Sequence, residues 1–173
     1  MKKTFVLVKS LIAMGFLFVS CDNSDDIKCP EALTGELTEM ETSFSGTWAL
    51  TAITSEEEID LTDDDTDNPS TDLYSQFPAC DNDSVYTFES DRNYTYIFGK
   101  TEADCDSQQE ATGTWQLTEN SSLIFVSGCS RQITPIDLNE ENTEFTIEKT
   151  LTYTDVDGNS ISTKTTFTYS KTV

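Results

Sequence analysis

Histidine is absent from this chain of 173 residues. Without an imidazole, neither a Ser-His nor a Cys-His nucleophile pair can form, and imidazole metal sites are excluded. The five cysteines contain no Cys-x-x-Cys pair, which argues against zinc. No spacing indicates a serine activated by a lysine, and the carboxylates crowd into loops as solvated groups do. The sequence therefore predicts that the protein is not an enzyme and that it needs no metal and no cofactor.

Positive charge is scarce as well, with ten Lys and Arg against 32 Asp and Glu. Three of the basic residues precede Cys21 and every acidic residue follows it, so residues 22–173 carry a net charge of −25. Such a field repels nucleic acid and anionic lipid head groups. We expect no nucleic-acid partner.

The apolar run of residues 11–19 is too short to cross a bilayer, which takes about 20 residues. It follows the basic residues Lys2 and Lys3 and ends at Ser20, directly before Cys21. This arrangement is typical of a bacterial lipoprotein signal, in which the cysteine receives acyl chains. We expect residues 1–21 to be the signal, Cys21 to be lipidated, and a membrane to be the partner through that anchor. An ordinary signal peptide with an unmodified Cys21 is the alternative.

The residues after Cys21 indicate where the anchor sits. Ser24-Asp25-Asp26 resembles the acidic export tag of surface lipoproteins in one large phylum of Gram-negative bacteria. It favours an outer-membrane lipoprotein exposed at the cell surface. Asp22 would instead favour inner-membrane retention in other Gram-negative bacteria, and a short acidic run also suits a solvated linker. Residues 22–43 are interpreted as an acidic tether, and residues 44–173 as one domain.

Four cysteines follow the signal: Cys29, Cys80, Cys105 and Cys129. In an oxidising compartment they form two disulfides, with three possible connectivities. Cys80 and Cys105 lie about equally far from a hairpin turn predicted at residues 91–93, so they should meet at its open end. The pairing of Cys29 with Cys129 then follows only by elimination.

The body of the chain has the pattern of β-strands throughout. Apolar and aromatic residues alternate with polar ones, as in Tyr94, Tyr96 and Phe98. In the series Phe145, Ile147, Lys149, Leu151 and Tyr153, the lysine is the exception. Polar turns separate eight predicted strands: residues 46–55, 83–90, 93–99, 111–118, 122–127, 131–138, 143–154 and 160–171. Eight strands joined mostly by hairpins favour an all-β, antiparallel up-and-down barrel or a strongly curled sheet.

One long acidic connection, residues 56–83, interrupts these hairpins. A loop of this length is typically a lid or a binding loop, and Leu73, Tyr74 and Phe77 could cover the barrel mouth. A helix capped by Ser70 is predicted over residues 71–76. Asp63, Asp65 and Asp67 have the alternate spacing of a calcium loop. However, Asn68 and Tyr74 stand where glycine and the bidentate glutamate are needed, so no calcium site is assigned.

Two copies of a Gly-Thr-Trp phrase, at residues 46–48 and 113–115, frame a segment with Cys80-Asp81-Asn82-Asp83, two aromatic strands and Cys105. This order resembles the lipocalin-like domain of small bacterial surface lipoproteins over residues 44–170. The resemblance implies an eight-stranded barrel in which Trp48 packs across one end. The sequence departs from the family at the central hairpin turn, where Asp91-Arg92-Asn93 replaces the usual Asp-Gly.

Two functions remain open. The barrel could bind a small apolar ligand beneath the long loop, or it could be a packed, non-catalytic platform that displays acidic loops. An apolar interior cavity of about 300 Å³ or more would favour binding. The sequence assigns no residue to a ligand, and we expect a monomer.

Overall fold

The computed structural model describes residues 28–99, 105 and 108–172. The predicted signal peptide, the predicted lipidation of Cys21 and the predicted acidic tag concern residues outside these ranges. The described chain is all-β and forms a nearly closed antiparallel barrel. Its elements are α1 (Glu39–Phe44), β1 (Gly46–Ile59), β2 (Ser70–Asp72), a 3-10 turn (Tyr74–Gln76), α2 (Ala79–Asn82), β3 (Val85–Phe88), β4 (Asn93–Phe98), β5 (Gln109–Leu117), β6 (Ser122–Ser127), β7 (Ser130–Pro135), β8 (Asp137–Leu138), β9 (Glu144–Thr154) and β10 (Ser160–Lys171). No helix in this part of the chain is long and apolar enough to span a membrane.

The strands follow the order β7-β6-β5-β4-β3-β1-β10-β9-β8, and β2 pairs with β1. Each neighbouring pair is antiparallel. The two ends of the sheet approach each other at β7 and β9, where only the two residues of β8 pair with β9. The wall therefore stays open between β7 and most of β9, and we call this opening the seam.

The predicted count of eight strands is slightly low, because the described residues form ten. The stretch predicted as residues 131–138 divides into β7 and β8: Pro135 cannot donate to a ladder, and the Ile136 N–H bonds to Ser121 O at 2.9 Å instead. The predicted helix over residues 71–76 is wrong. Ser70 begins β2, and the 3-10 turn after it has no side-chain cap.

One end of the barrel, which we call the closed end, is filled with aromatic rings. Phe44 at the end of α1 is fully buried, and its ring centroid lies 4.7 Å from that of Trp48 and 5.0 Å from that of Phe88. Trp48 contacts Phe145 edge-on at 5.0 Å and donates its Nε1–H to Phe44 O. Trp48 thus has the position that the family resemblance implies. Because the buried indole also has its hydrogen-bond partner, this packing carries no unsatisfied polar group.

A buried ion pair locks α1 onto the closed end. Arg92 lies in the β3–β4 turn at φ +71°, and its guanidinium bonds both carboxylate oxygens of Glu41, at 2.8 and 3.0 Å. Its other donors reach the carbonyls of Gly35, Glu36 and Trp115, so all five N–H groups are used. Burial opposes ionisation of Glu41, but hydrogen bonds from Arg92 and from two backbone N–H groups lower its pKa overall.

Disulfides hold the opposite end, which we call the open end. Cys80 bonds to Cys105 and Cys29 bonds to Cys129, which confirms both predicted pairings. The β3–β4 ladder pairs Val85 with Ile97, so the hairpin is centred near Asp91, slightly earlier than predicted. Cys80 lies in α2 and Cys105 lies beyond the end of β4, so both are outside the β3–β4 ladder and the shifted centre of the hairpin does not prevent their disulfide.

The described part of the predicted tether lies against the barrel. The Leu33 N–H bonds to Thr114 Oγ1 at 2.8 Å, and Pro30 and Ala32 face strands β4 to β6. Within these strands Gly113 pairs with Tyr94, and a Cβ at this position would collide with Val126 O. Residues 28–44 are therefore part of the packed structure.

Candidate ligand-binding site

The barrel interior is packed at the closed end but open above it. A pocket of about 270 Å³, which we call the inner pocket, lies between strands β3 to β7 on one side and β9 on the other. Its aromatic wall consists of Tyr86, Tyr94, Tyr96 and Phe125. Ala111, Gln132 and Lys149 complete the lining. The wall is continuous with the closed-end core, since the Tyr86 ring stacks on Phe88 at 5.6 Å.

The aromatic wall is held by ring contacts and by the register of the strands. The ring centroids of Tyr86 and Tyr96 lie 4.6 Å apart, and those of Tyr94 and Phe125 lie 4.8 Å apart. Tyr86 opposes Tyr96 in the β3–β4 ladder, and Tyr96 opposes Ala111 in the next, which places all three on one face. The small side chain of Ala111 leaves the space above the rings open.

The phenols of this wall stay protonated at neutral pH. Burial raises the pKa of Tyr86, and neighbouring tyrosines raise it further. Burial likewise raises the pKa of Tyr94 and of Tyr96. The wall therefore offers aromatic faces and neutral hydroxyl groups.

The inner pocket opens sideways through the seam. A cleft of about 590 Å³, the seam cleft, runs between β7 and β9 and shares Gln132 and Lys149 with the inner pocket. Its apolar lining includes Ile133, which is 58% exposed, together with the buried Ile136 and Ile147. The inner pocket falls short of the 300 Å³ interior cavity that would favour binding, and the seam cleft adds about 590 Å³ of space beside it, at the opening of the barrel wall.

The connection after β1 covers the open end as expected. Leu73 is fully buried in the core, and Tyr74 and Phe77 pack against it. The Phe77 ring lies 6.4 Å from the ring of Tyr153 on β9, so the segment reaches across the mouth. The connection is shorter than predicted, because β1 continues to Ile59 and includes the three glutamates after Ser55.

The acidic turn at residues 60–67 stays at the surface. Asp60 is its buried member: its carboxylate accepts hydrogen bonds from Thr62 and from the Asn68 N–H, and the latter is the main cause of its lowered pKa. Asp63, Asp65 and Asp67 are exposed. Among residues 28–99, 105 and 108–172, no three acidic or cysteine side chains are grouped as metal ligands.

A second crevice, of about 680 Å³, is lined by Tyr74 and Phe77 on one side and by residues of β1 and the start of β3 on the other. Asn82 donates to the carbonyls of Tyr74 and Phe77, and its Oδ1 is buried without a partner in the described chain. The crevice separates residues 73–77, which we call the covering segment, from β1 and β3. The Asn82 amide therefore holds the covering segment in place. The crevice lacks the aromatic wall of the inner pocket.

Sequence reasoning missed the inner pocket, although two of its signals were visible. Lys149 interrupts an apolar row, and Gln132 sits on the strand that closes the other side of the seam. Neither residue forms a motif. The pocket exists only because the ladders bring residues from six strands to one level.

These features define a nearly closed antiparallel barrel with one packed end and one covered, partly hollow end. The chain belongs to the family described as domain of unknown function (DUF5004), whose model matches residues 22–172. A search of curated proteins finds no match.

Proposed function

We propose that this protein is a lipid-anchored, non-catalytic binding protein of the lipocalin-like kind, displayed at the outer-membrane surface, which holds a small ligand in its barrel. The observation that carries the binding proposal is the inner pocket, whose aromatic wall is left uncovered by core side chains. Small-molecule sites combine aromatic side chains with placed polar groups, and four of the seven residues that line the inner pocket are aromatic. The packed platform is the alternative, supported by the dense closed end.

The anchoring proposal is supported from outside the described residues. The sequence before Cys21 has the features of a lipoprotein signal, and the family match begins at Asp22. Two disulfides suit an oxidising compartment outside the cytoplasm. The acidic tag after Cys21 supports surface display over retention in the inner membrane.

The disulfide of Cys29 to Cys129 gives this proposal a geometric consequence. Cys129 lies between β6 and β7 at the open end. The chain from Cys21 to Cys29 spans at most about 29 Å when fully extended. An acylated Cys21 would therefore keep the open end of the barrel close to the membrane surface.

A filling variant tests the binding proposal. Ala111→Trp places an indole in the inner pocket, and Thr152→Trp places one on the outer, exposed face of β9 as the matched control. Titration with the neutral dye N-phenyl-1-naphthylamine should show binding to the wild type and the control. Ala111→Trp should weaken it at least tenfold. No binding to the wild type, or equal binding to all three proteins, would favour the platform.

The anchoring proposal has its own test. Replacing Cys21 by Ser should abolish acylation and move the protein from the detergent phase to the aqueous phase, or leave it unprocessed. Unchanged partitioning would contradict the anchor. Native mass spectrometry of protein purified from its source membrane would show whether a ligand remains bound, and size-exclusion chromatography would test the expected monomer.

A further inference from the structure

Lys149 interrupts the inward row of β9. Phe145 and Ile147 are buried and oppose Tyr169 and Phe167 in the β9–β10 ladder. Lys149 is the next inward position, opposite Thr165, and it lines both the inner pocket and the seam cleft. Lys149 therefore places a charged group within a row that continues to Tyr153, which packs against the core.

Its ammonium group is not neutralised by the protein. No described carboxylate forms an ion pair with Lys149. By contrast, Lys164 on the outer face of β10 contacts Glu56 at 2.9 Å and Glu148 at 3.4 Å, and Arg92 is fully used by Glu41 and three carbonyls. Lys28, Arg131 and Lys171 form no carboxylate ion pair in the described chain either, so what distinguishes Lys149 is its position in the lining of the inner pocket.

The inner pocket around this ammonium has no acidic lining in the described part of the chain. Its polar groups are phenols kept neutral by burial and the amide of Gln132, whose Nε2 donates to Thr134. The nearest acidic lining is in the seam cleft, at Asp137 and Glu148, and Glu148 is already paired with Lys164. Salt screens the more distant surface carboxylates, over about 8–10 Å.

We propose that Lys149 is the anion-recognition residue of the inner pocket, and that the ligand is a small amphipathic anion. Its carboxylate- or sulfonate-type head group would lie at Lys149, where pocket and cleft meet, and its apolar or aromatic body would lie against Tyr86, Tyr96 and Phe125. The inference rests on the proposed binding function and specifies its ligand class. A free anion and an acidic lipid released from the adjacent membrane share this chemistry.

Two probes with the same aromatic body test the inference. 8-Anilinonaphthalene-1-sulfonate carries the anionic group, and N-phenyl-1-naphthylamine lacks it. Both are titrated by fluorescence into the wild type, Lys149→Gln, Lys149→Arg and the control Lys164→Gln. We expect Lys149→Gln to weaken the anionic probe about tenfold while changing the neutral probe less than twofold. Lys149→Arg should retain affinity, and Lys164→Gln should change neither probe.

The outcomes separate this inference from the proposed function. If neither probe binds the wild type, the binding function itself is refuted. If both bind and Lys149→Gln weakens neither, or weakens both equally, the pocket stands and the role of Lys149 is refuted. Because Lys149 is exposed, the variants should fold, which circular dichroism and Tm would verify. Competition by a soluble medium-chain carboxylate, compared with vesicles containing an acidic phospholipid, would distinguish the two sources.

Discussion

Removing the Arg92 guanidinium should destabilise the barrel far more than removing any exposed charge. Arg92→Met deletes five hydrogen bonds and leaves the Glu41 carboxylate buried, with only the N–H groups of Thr38 and Leu117. Breaking a buried ion pair by removing one partner costs about 3–5 kcal/mol. Because a domain of this size has a stability of about 5–15 kcal/mol, the loss is a large share of the total.

The assay is urea unfolding followed by the fluorescence of the two tryptophans, both fully buried. With a slope of about 2 kcal/mol/M, the midpoint should fall by about 1.5–2.5 M. Arg131→Met removes the other arginine of the chain, exposed on β7, and should shift the free energy of unfolding by less than about 0.5 kcal/mol. A loss of 1 kcal/mol or less in Arg92→Met would refute the role of the ion pair.

A glycine variant separates the side chain from the backbone. Arg92 has φ +71°, a conformation that costs a non-glycine residue about 1–2 kcal/mol. Arg92→Gly relieves this strain and also removes the guanidinium, so it should be more stable than Arg92→Met but less stable than the wild type. An Arg92→Gly protein as stable as the wild type would show that the turn, and not the ion pair, governs this end.

The same ion pair predicts a pH dependence. Because the folded pKa of Glu41 lies below its ordinary value of 4.5, its stabilisation is present above pH 4.5 and is lost as the pH falls through the folded pKa. The free energy of unfolding of the wild type should therefore exceed that of Glu41→Gln at pH 7, and the gap should narrow in acid. The other carboxylates are common to both proteins and cancel in the difference. A gap independent of pH would contradict the assigned charge state.

Two further predictions concern the strand walls and the disulfides. Replacing both cysteines of the Cys29–Cys129 bridge, which spans 100 residues, should lower the free energy of unfolding by about 4–5 kcal/mol. The same change at Cys80–Cys105, which spans 25 residues, should lower it by about 3–3.5 kcal/mol. Equal or reversed losses in denaturant unfolding would contradict loop length as the cause. Gly113→Ala should lower the free energy of unfolding by about 1–3 kcal/mol, because its Cβ would collide with a neighbouring backbone carbonyl, and an unchanged Tm would contradict this.

The strands were predictable where alternation and turn residues coincide. Residues 122–127 match β6 because a short apolar run lies between polar breaks, and residues 160–171 match β10 because apolar or β-branched residues recur at every second position. The three residues of β2 are polar and carry no such pattern, so their pairing with β1 depends on tertiary contacts. The break between β7 and β8 at Pro135 had a local signal in the sequence, because proline has no backbone N–H to donate. Where the chain turns, however, depends on the hydrogen bond from the Ile136 N–H to Ser121 O, which the sequence does not reveal.

The site was less predictable than the fold for a physical reason. Alternation along β9 shows that Lys149 shares a face with Phe145, but it cannot show which side chains oppose that face across a barrel. Arg92 was visible as a departure from Asp-Gly in the central turn. Its partner Glu41 is 51 positions away, in a segment read as a tether, and no local pattern connects them.

The division of the barrel into two ends explains why its pocket can be tested by mutation. Aromatic packing and the Arg92–Glu41 ion pair stabilise the closed end without help from the pocket side chains. At the open end, two disulfides and the buried side chains of Leu73 and Ile59 stabilise the structure. Substitutions at exposed pocket positions such as Lys149 and Ala111 therefore remove little buried area, so a change in ligand affinity there would report on recognition and not on unfolding.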